Sequence, residues 1–75
     1  MTKYIFIGTE QDLIDNGYLF CEDMSEYGHY ERTTQNGYSY IDGKTLEIFY
    51  VDDVQKIQDL IDKGLVMEVK QWLNA

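Results

Sequence analysis

The chain has 75 residues, one cysteine, and 14 acidic against 6 basic residues, which gives a net charge of −8 at pH 7. This length predicts a single domain, residues 1–75, with a small core, and one cysteine excludes an intrachain disulfide. The charge repels the phosphates of nucleic acids and of anionic membranes, so we expect neither as a direct partner. Without a signal-peptide pattern or a long apolar run, the sequence predicts a soluble, cytoplasmic protein.

The acidic residues are concentrated in the first half of the chain. Up to Glu31 there are seven acids and one base, a net of −6, whereas from Arg32 onward there are seven acids and five bases, a net of −2. Such an acidic segment favours association with a basic surface, and the alternative interpretation is that the charge maintains solubility. Residue usage (28 Phe, Tyr, Met, Ile, Asn and Lys) is typical of an AT-rich genome.

The first third of the chain predicts a strand, a short helix and a second strand. The strand is Lys3–Ile7, because its residues are apolar, β-branched or aromatic. Thr9 then caps a helix over about Glu10–Asn16, with Asp12 at the reciprocal capping-box position. Tyr18–Glu22 is predicted to form the second strand.

The middle of the chain predicts three strands joined by two tight turns. Asn36-Gly37 and Asp42-Gly43 are dipeptides that two-residue hairpin turns favour. The predicted strands are His29–Gln35, Tyr38–Ile41 and Lys44–Val51.

These turns predict which side chains share a face of the sheet. In this register Tyr40 pairs with Thr45. One face then carries Tyr38, Tyr40, Glu47, Phe49 and Val51. The other carries Ile41, Leu46, Ile48 and Tyr50. Either face can be the one that the helices cover, and the uncovered one keeps an aromatic stripe suited to protein contacts. The alternative is that both faces are partly covered.

The last third predicts a second helix and a segment of ambiguous type. Asp52 is placed to cap this helix, with Gln55 at the capping-box position. Its buried stripe is predicted to be Val54, Ile57, Leu60 and Ile61. Residues 65–75 fit both a strand and a helix, and we interpret them as a strand followed by a short terminal turn.

The pentamer QDLID occurs twice, at residues 11–15 and 58–62, and each copy is followed by a polar residue, a glycine and apolar residues. Gly17 and Gly64 stand where a helix needs a left-handed residue to close its last turn. The apolar residue after each glycine is predicted to pack on a leucine five positions earlier, Tyr18 on Leu13 and Leu65 on Leu60. The polar positions are predicted to face solvent: Gln11, Gln58, Asp12, Asp59, Asp15 and Asp62. The repeat therefore predicts architecture rather than a duplicated site.

Together these elements predict an α+β fold, a mainly antiparallel sheet of four to five strands with two helices packed on one face.

Residues suited to catalysis or metal binding are scarce. Cys21 and His29 are the one cysteine and the one histidine, whereas zinc sites favour paired cysteines and histidines. The acids Glu22, Asp23 and Glu26 between them do not have the spacing of a calcium loop. A phosphate-binding glycine loop and a basic cluster are both missing from the sequence. We therefore predict no enzymatic activity, no metal and no cofactor.

In size, charge and residue usage the chain resembles the small acidic proteins with which phages and mobile elements block nucleic-acid-directed defences, including anti-CRISPR and anti-restriction inhibitors. The resemblance implies a non-enzymatic inhibitor that mimics nucleic acid on a basic surface of a nucleic-acid-binding host protein. The acids predicted to steer binding are Glu10, Asp12, Asp15, Glu22, Asp23 and Glu26. The predicted anchors are Tyr27, Tyr30, Tyr38 and Tyr40.

Two other hypotheses remain open from the sequence. In one, the protein is a structural or accessory subunit that forms a homo-oligomer, such as a homodimer, through a tyrosine-rich sheet face. In the other, it binds a small molecule or a metal around Cys21 and His29.

Overall fold

A computed structural model describes residues 2–51 and 53–74. It contains a six-stranded sheet in which every neighbouring pair of strands is antiparallel, in the order β2-β3-β4-β5-β1-β6. The strands are β1 Tyr4–Phe6, β2 Leu19–Cys21, β3 His29–Thr34, β4 Gly37–Asp42, β5 Glu47–Phe49 and β6 Val66–Glu68.

Three short α-helices and one 3-10 helix connect or follow these strands. The helices are α1 Glu10–Asp15, the 3-10 helix Val54–Ile57, α2 Gln58–Asp62 and α3 Val69–Leu73. Within residues 2–51 and 53–74, none of the helices has the length and apolar character needed to cross a membrane.

The α+β class and the mainly antiparallel sheet are confirmed, but the counts of four to five strands and two helices are too low. The added elements lie in the ambiguous C-terminal segment. There β6 pairs with β1 at the sheet edge, with Phe6 opposite Val66, and the backbone N–H of Val69 bonds the Lys3 carbonyl at the start of α3. The segment combines both of its sequence patterns, a strand and then a helix.

The repeated pentamers end their helices in the same way, as predicted. Gly17 and Gly64 have positive φ angles of 90° and 73°. The backbone N–H of Tyr18 bonds the Leu13 carbonyl at 3.0 Å, and that of Leu65 bonds the Leu60 carbonyl at 2.9 Å. These bonds are the glycine-dependent helix stop that the sequence predicts. In both copies the glutamine side chain also donates to the second aspartate, Gln11 to Asp15 and Gln58 to Asp62.

The helix starts agree with the prediction in α1 only. Thr9 and Asp12 form the complete capping box. The predicted cap of the second helix, Asp52, lies outside the described residues, and Asp53 caps the 3-10 helix by accepting the backbone N–H of Gln55 at 2.9 Å. The predicted buried stripe is wrong at Val54, which is exposed because it lies in the 3-10 turn rather than on the α2 face.

The turn between β3 and β4 lies one residue earlier than predicted. Thr34 pairs with Gly37, so Gln35 and Asn36 are the two loop residues. The Thr34 hydroxyl accepts the backbone N–H of Asn36 at 3.1 Å, and the positive φ falls on Gly37, at 125°. The register differs from the predicted one by two residues, an even number, so every side chain keeps its predicted face.

The connection between β4 and β5 is longer than the predicted two-residue turn. Tyr40 pairs with Phe49 instead of Thr45. The Asp42 carboxylate accepts the backbone N–H of Thr45 at 2.8 Å, and Leu46 adopts a left-handed φ of 60°. This shift of register is also even, and again preserves the predicted faces as far as Phe49.

Helix α1, the 3-10 helix and α2 cover one face of the sheet and contribute Leu13, Ile57 and Leu60 to the core there. The core consists of Phe6, Leu13, Tyr18, Tyr30, Ile41, Ile48, Val51, Ile57, Leu60 and Val66. The predicted places of Tyr50 and Val51 are exchanged: Val51 is buried, whereas Tyr50 is 67% exposed. The cause is the positive φ of Tyr50, 63°, which interrupts the alternation of the strand.

Candidate functional site

The face of the sheet opposite the core carries a continuous set of aromatic and polar side chains. Leu19 lies opposite Glu31, Glu31 opposite Tyr40, and Tyr40 opposite Phe49, so these four residues form a row across four strands. We call this surface the open face. Its residues are Leu19, Cys21, His29, Glu31, Tyr38, Tyr40, Phe49 and Tyr50.

Four aromatic rings contact one another on the open face. Tyr40 is central, with ring centroids 5.8 Å from Phe49 and 6.0 Å from Tyr50, both edge to face. Tyr38 lies 6.5 Å from Tyr50. Phe49, Tyr38 and Tyr50 are all exposed, so the cluster presents apolar ring surface to solvent. Such a contiguous patch is characteristic of interaction surfaces.

Next to the rings, His29 is held by several contacts. Its Nδ1 lies 2.6 Å from the Asp23 carboxylate, and its ring stacks on Tyr40 with centroids 4.4 Å apart. Its Nε2 faces the Glu31 carboxylate at 3.5 Å. The Tyr38 hydroxyl donates to the same Glu31 oxygen at 2.9 Å. The aromatic and acidic parts of the open face therefore form one connected network.

The contacts in this network shift the pKa values of its members. Hydrogen bonds from Ser25 and then His29 lower the pKa of Asp23 to about 2. Burial and then the neighbouring Glu31 raise the pKa of Tyr38 to about 12. The Tyr38 hydrogen bond, in turn, lowers the pKa of Glu31. At neutral pH Asp23 and Glu31 are therefore carboxylates, and the Tyr38 hydroxyl between the rings and Glu31 keeps its proton.

His29 lies between the Asp23 carboxylate and the Cys21 thiol, as the histidine does in a cysteine-histidine-aspartate triad, but the thiol is not activated. Desolvation and then Glu31 raise the pKa of Cys21, which is the opposite of what a nucleophilic cysteine requires. His29 directs Nε2 towards a carboxylate.

The loop between β2 and β3 carries exposed acids beside the open face. Glu22 and Glu26 are exposed there, and Asp23 joins the loop to His29. The loop lies against the β4–β5 connection, where the Gly43 backbone N–H bonds the Gly28 carbonyl at 3.0 Å. Gly43 has no room for a side chain, because an added Cβ would lie 2.3 Å from the Tyr27 carbonyl oxygen. We call residues 22–27 the acidic loop.

Three of the ten residues predicted to bind a partner, Asp23, Tyr38 and Tyr40, belong to the network of the open face. Glu22 and Glu26 are exposed in the adjoining acidic loop, where they line a depression together with Phe20, whose side chain lies on the core side of β2. Tyr27 ends this loop; it is half-exposed and has Lys44 5.4 Å above its ring.

The other four predicted residues lie on the covered side of the sheet. Tyr30 is buried in the core, where burial and then the nearby Glu10 raise the pKa of its hydroxyl. It is therefore not an exposed anchor, because it alternates with His29 and Glu31 along β3. Glu10, Asp12 and Asp15 belong to α1, and Asp12 is engaged in the capping box. These acids do not share a surface with Tyr38 and Tyr40.

Besides Cys21 and His29, which the sequence suggests only as a small-molecule or metal site, the open face contains four residues outside the predicted partner-binding set: Leu19, Glu31, Phe49 and Tyr50. The alternation of β2 and β3 contains the signal for Leu19 and Glu31, and Phe49 was already placed on the face of Tyr40. Tyr50 lies on the open face because its backbone is left-handed, and no local sequence pattern indicates that conformation.

Basic residues are located mainly away from the open face. Arg32 is buried on the covered side, where it pairs with Asp59 at 2.8 Å, donates to the Asn16 carbonyl at 3.2 Å, and lies 4.6 Å from the Tyr18 ring centre. The Lys63 side chain also bonds Asn16. Asp59 is thus not simply solvent-facing, as the repeat suggested, because it neutralises a buried guanidinium.

A groove of about 460 Å³ lies at the opposite edge of the sheet. It is lined by Thr2, Lys3, Glu68, Val69, Lys70 and Leu73. Two lysines and one glutamate line it, so this edge differs in charge from the acidic loop.

No family model matches this chain, and no significant match was found among curated proteins or solved structures. Functional inference therefore rests on the residues and on their arrangement.

Proposed function

We propose that the protein is a non-enzymatic binding module whose open face docks on a basic surface of another protein. The observation that carries this proposal is an uncovered aromatic cluster bordered by carboxylates. Tyr38, Phe49 and Tyr50 are exposed, and they supply the ring area that dominates interface energies. Glu22, Glu26 and Glu31 supply negative charge at the rim, where charge increases the association rate and sets its salt dependence.

Within this class we propose an inhibitor of the phage or mobile-element type, in which the acids of the module occupy phosphate sites of a nucleic-acid-binding protein. The net charge of −8 and the acidic loop support this narrower function. If the acids mimic phosphates, nucleic acid and this protein compete for the same partner surface. A partner saturated with DNA or RNA should then no longer be captured.

The alternative, a homodimer formed through the same face, is disfavoured by charge. A two-fold interface places identical patches against each other. It would therefore bring the Glu31 and Asp23 carboxylates of both copies into one interface, and like charges buried together are repulsive. We expect light scattering to give the mass of a monomer for wild type and for Tyr40→Ser. A wild-type dimer that Tyr40→Ser converts to a monomer would favour self-association instead.

A charge-reversal pair of variants tests the proposed docking. Glu22→Lys/Glu26→Lys changes the acidic loop at two exposed positions, and Asp15→Lys/Asp62→Lys makes the same charge change on α1 and α2. Each variant is used as bait in a bacterial lysate, with salt elution and quantitative mass spectrometry.

We expect the loop variant to lose basic proteins that wild type and the helix variant both retain. Exposed charges are screened within about 10 Å at 0.1 M salt, so these proteins should also elute as salt rises. Equal capture by both variants would show that the acidic loop is not part of the interface.

A further inference from the structure

We propose that Cys21, His29 and Glu31 form a zinc site, with the open face supplying three ligands and water the fourth. This inference is independent of the docking proposal, since its test needs no partner protein. The hypothesis of a metal around Cys21 and His29 lacks a third ligand in the sequence, and the structure supplies it as Glu31, which lies two residues from His29 on the same face of β3.

Strand register brings the three ligands together. Cys21 lies directly opposite His29 in the β2–β3 pair, and Glu31 is the next residue on the same face of β3. Their ligand atoms all lie within 4.8 Å of one another. Tetrahedral zinc with ordinary bond lengths places its ligand atoms about 3.4–3.6 Å apart. The 3.5 Å between His29 Nε2 and the Glu31 carboxylate already meets this spacing.

Two of the three ligands are held in place by neighbouring groups. The imidazole of His29 is fixed at Nδ1 by Asp23 and across its ring by Tyr40, so that Nε2 is the nitrogen left for a metal. A carboxylate bound to the second nitrogen of a histidine ligand is the arrangement that zinc sites use to orient the ring. The Tyr38 hydroxyl fixes the Glu31 carboxylate in the same way.

The chemistry of the ligands selects the metal. A thiolate, an imidazole and a carboxylate together suit Zn²⁺, whereas Mg²⁺ and Ca²⁺ prefer oxygen ligands alone. A thiolate and a carboxylate would also neutralise the charge of a dication. His29 is largely shielded, with 14% of its side chain exposed, and Glu31 remains open to solvent, so the site is accessible from one side.

Calorimetric titration of the metal-free protein with Zn²⁺ tests the site, with Co²⁺ as a spectroscopic substitute. We expect one equivalent of Zn²⁺ to bind, and the Co²⁺ complex to show a thiolate charge-transfer band and the intense visible absorption of tetrahedral cobalt. Cys21→Ser should abolish the charge-transfer band, and Glu31→Gln should weaken Zn²⁺ binding. Asp23→Asn should weaken binding about 10- to 100-fold, the usual effect of losing such an orienting carboxylate.

Glu22→Gln and Glu26→Gln are the matched controls, because both acids are exposed in the adjoining loop and neither is a proposed ligand. Unfolding curves of the metal-free variants establish that each is folded. Zn²⁺ affinity that is unchanged in both Cys21→Ser and Glu31→Gln would overturn the proposal. A loss of affinity as large in the loop controls would do the same, since it would indicate diffuse binding to acidic residues.

Discussion

At the scale of single residues, Arg32 shows how a charged side chain can organise a small core. It is buried on the covered face, where its guanidinium bonds the Asn16 carbonyl, the Lys56 carbonyl and the Asp59 carboxylate. These three residues belong to the two regions that contain the repeated pentamer. Arg32 therefore links the repeats, which the sequence alone does not indicate.

The aspartates of the second repeat should differ in their contribution to stability. Asp59→Ala leaves a buried guanidinium without its counter-ion, and we expect a loss of about 1–3 kcal/mol in the free energy of unfolding, because Asp59 itself is partly exposed. Asp62→Ala removes an exposed hydrogen bond to Gln58, and should cost less than about 0.5 kcal/mol. Urea unfolding measures both, and equal losses would contradict this role of Asp59.

Tyr50 combines backbone strain with exposure on the open face. Its φ of 63° is in the region that non-glycine residues rarely adopt, and its ring is nevertheless 67% exposed. Strain of this kind persists mainly where function requires a particular geometry. The angle places the ring next to Tyr38 and Tyr40 instead of on the core side.

Tyr50→Gly should separate stability from binding. Glycine relieves the positive φ, which costs about 1–2 kcal/mol for other residues, while the loss of the ring removes exposed contacts only. We expect Tyr50→Gly to be at least as stable as Tyr50→Ala in thermal unfolding. Both should weaken binding of a captured partner about tenfold or more, as for a central aromatic anchor. Normal affinity in both would remove Tyr50 from the interface.

At the scale of elements, the repeated pentamer specifies the end of a helix twice. Each copy is followed by a glycine with positive φ and an apolar residue whose backbone bonds a leucine carbonyl. The copies differ in their surroundings, because Asp12 caps its own helix whereas Asp59 pairs with Arg32. Capping geometry is local and is readable from sequence, but the Arg32–Asp59 ion pair depends on how α2 packs against β3.

Gly64 provides a clean test of the helix stop. A Cβ added there would meet no atom within 4 Å, so the effect of a side chain is purely conformational. We expect Gly64→Ala to lower the free energy of unfolding by about 1 kcal/mol, and Gly64→Asn to cost less, because asparagine tolerates the left-handed region. An alanine variant as stable as wild type in urea would show that the left-handed angle is not required.

The hairpins show which parts of the sheet can be predicted from sequence. Alternation along β3, β4 and β5 correctly separated Tyr38, Tyr40 and Phe49 from Ile41 and Ile48, although both turns were misplaced. The faces were preserved because each register error was even. The β3–β4 turn depends on the Thr34 hydroxyl, and the β4–β5 connection on the Asp42 side chain and a left-handed Leu46, none of which dipeptide preferences describe.

At the scale of the whole molecule, the two sides of the sheet differ in charge and in burial. The open face combines exposed rings with Glu31 and the acidic loop, whereas Arg32 and Lys63 contact Asn16 on the covered side. The acids are concentrated in the first half of the chain, and the fold divides them between the α1 side of the sheet and the side of the open face and acidic loop. Nearness in sequence does not place the α1 acids on the open face, because α1 packs its Leu13 into the core on the other side of the sheet. Tyr30 faces the core because it alternates with His29 and Glu31 along β3.

Site-specific photo-crosslinking tests the central claim, docking through the open face, most directly. A benzophenone amino acid replaces Phe49 on the open face or Ile14 on the outer side of α1; both positions are exposed. After irradiation in a bacterial lysate at low salt, we expect position 49 to crosslink to a basic protein and position 14 not to do so. The position 49 adduct should decrease when Glu22→Lys/Glu26→Lys is added. Crosslinking to the same protein from position 14 but not from position 49 would contradict docking through the open face.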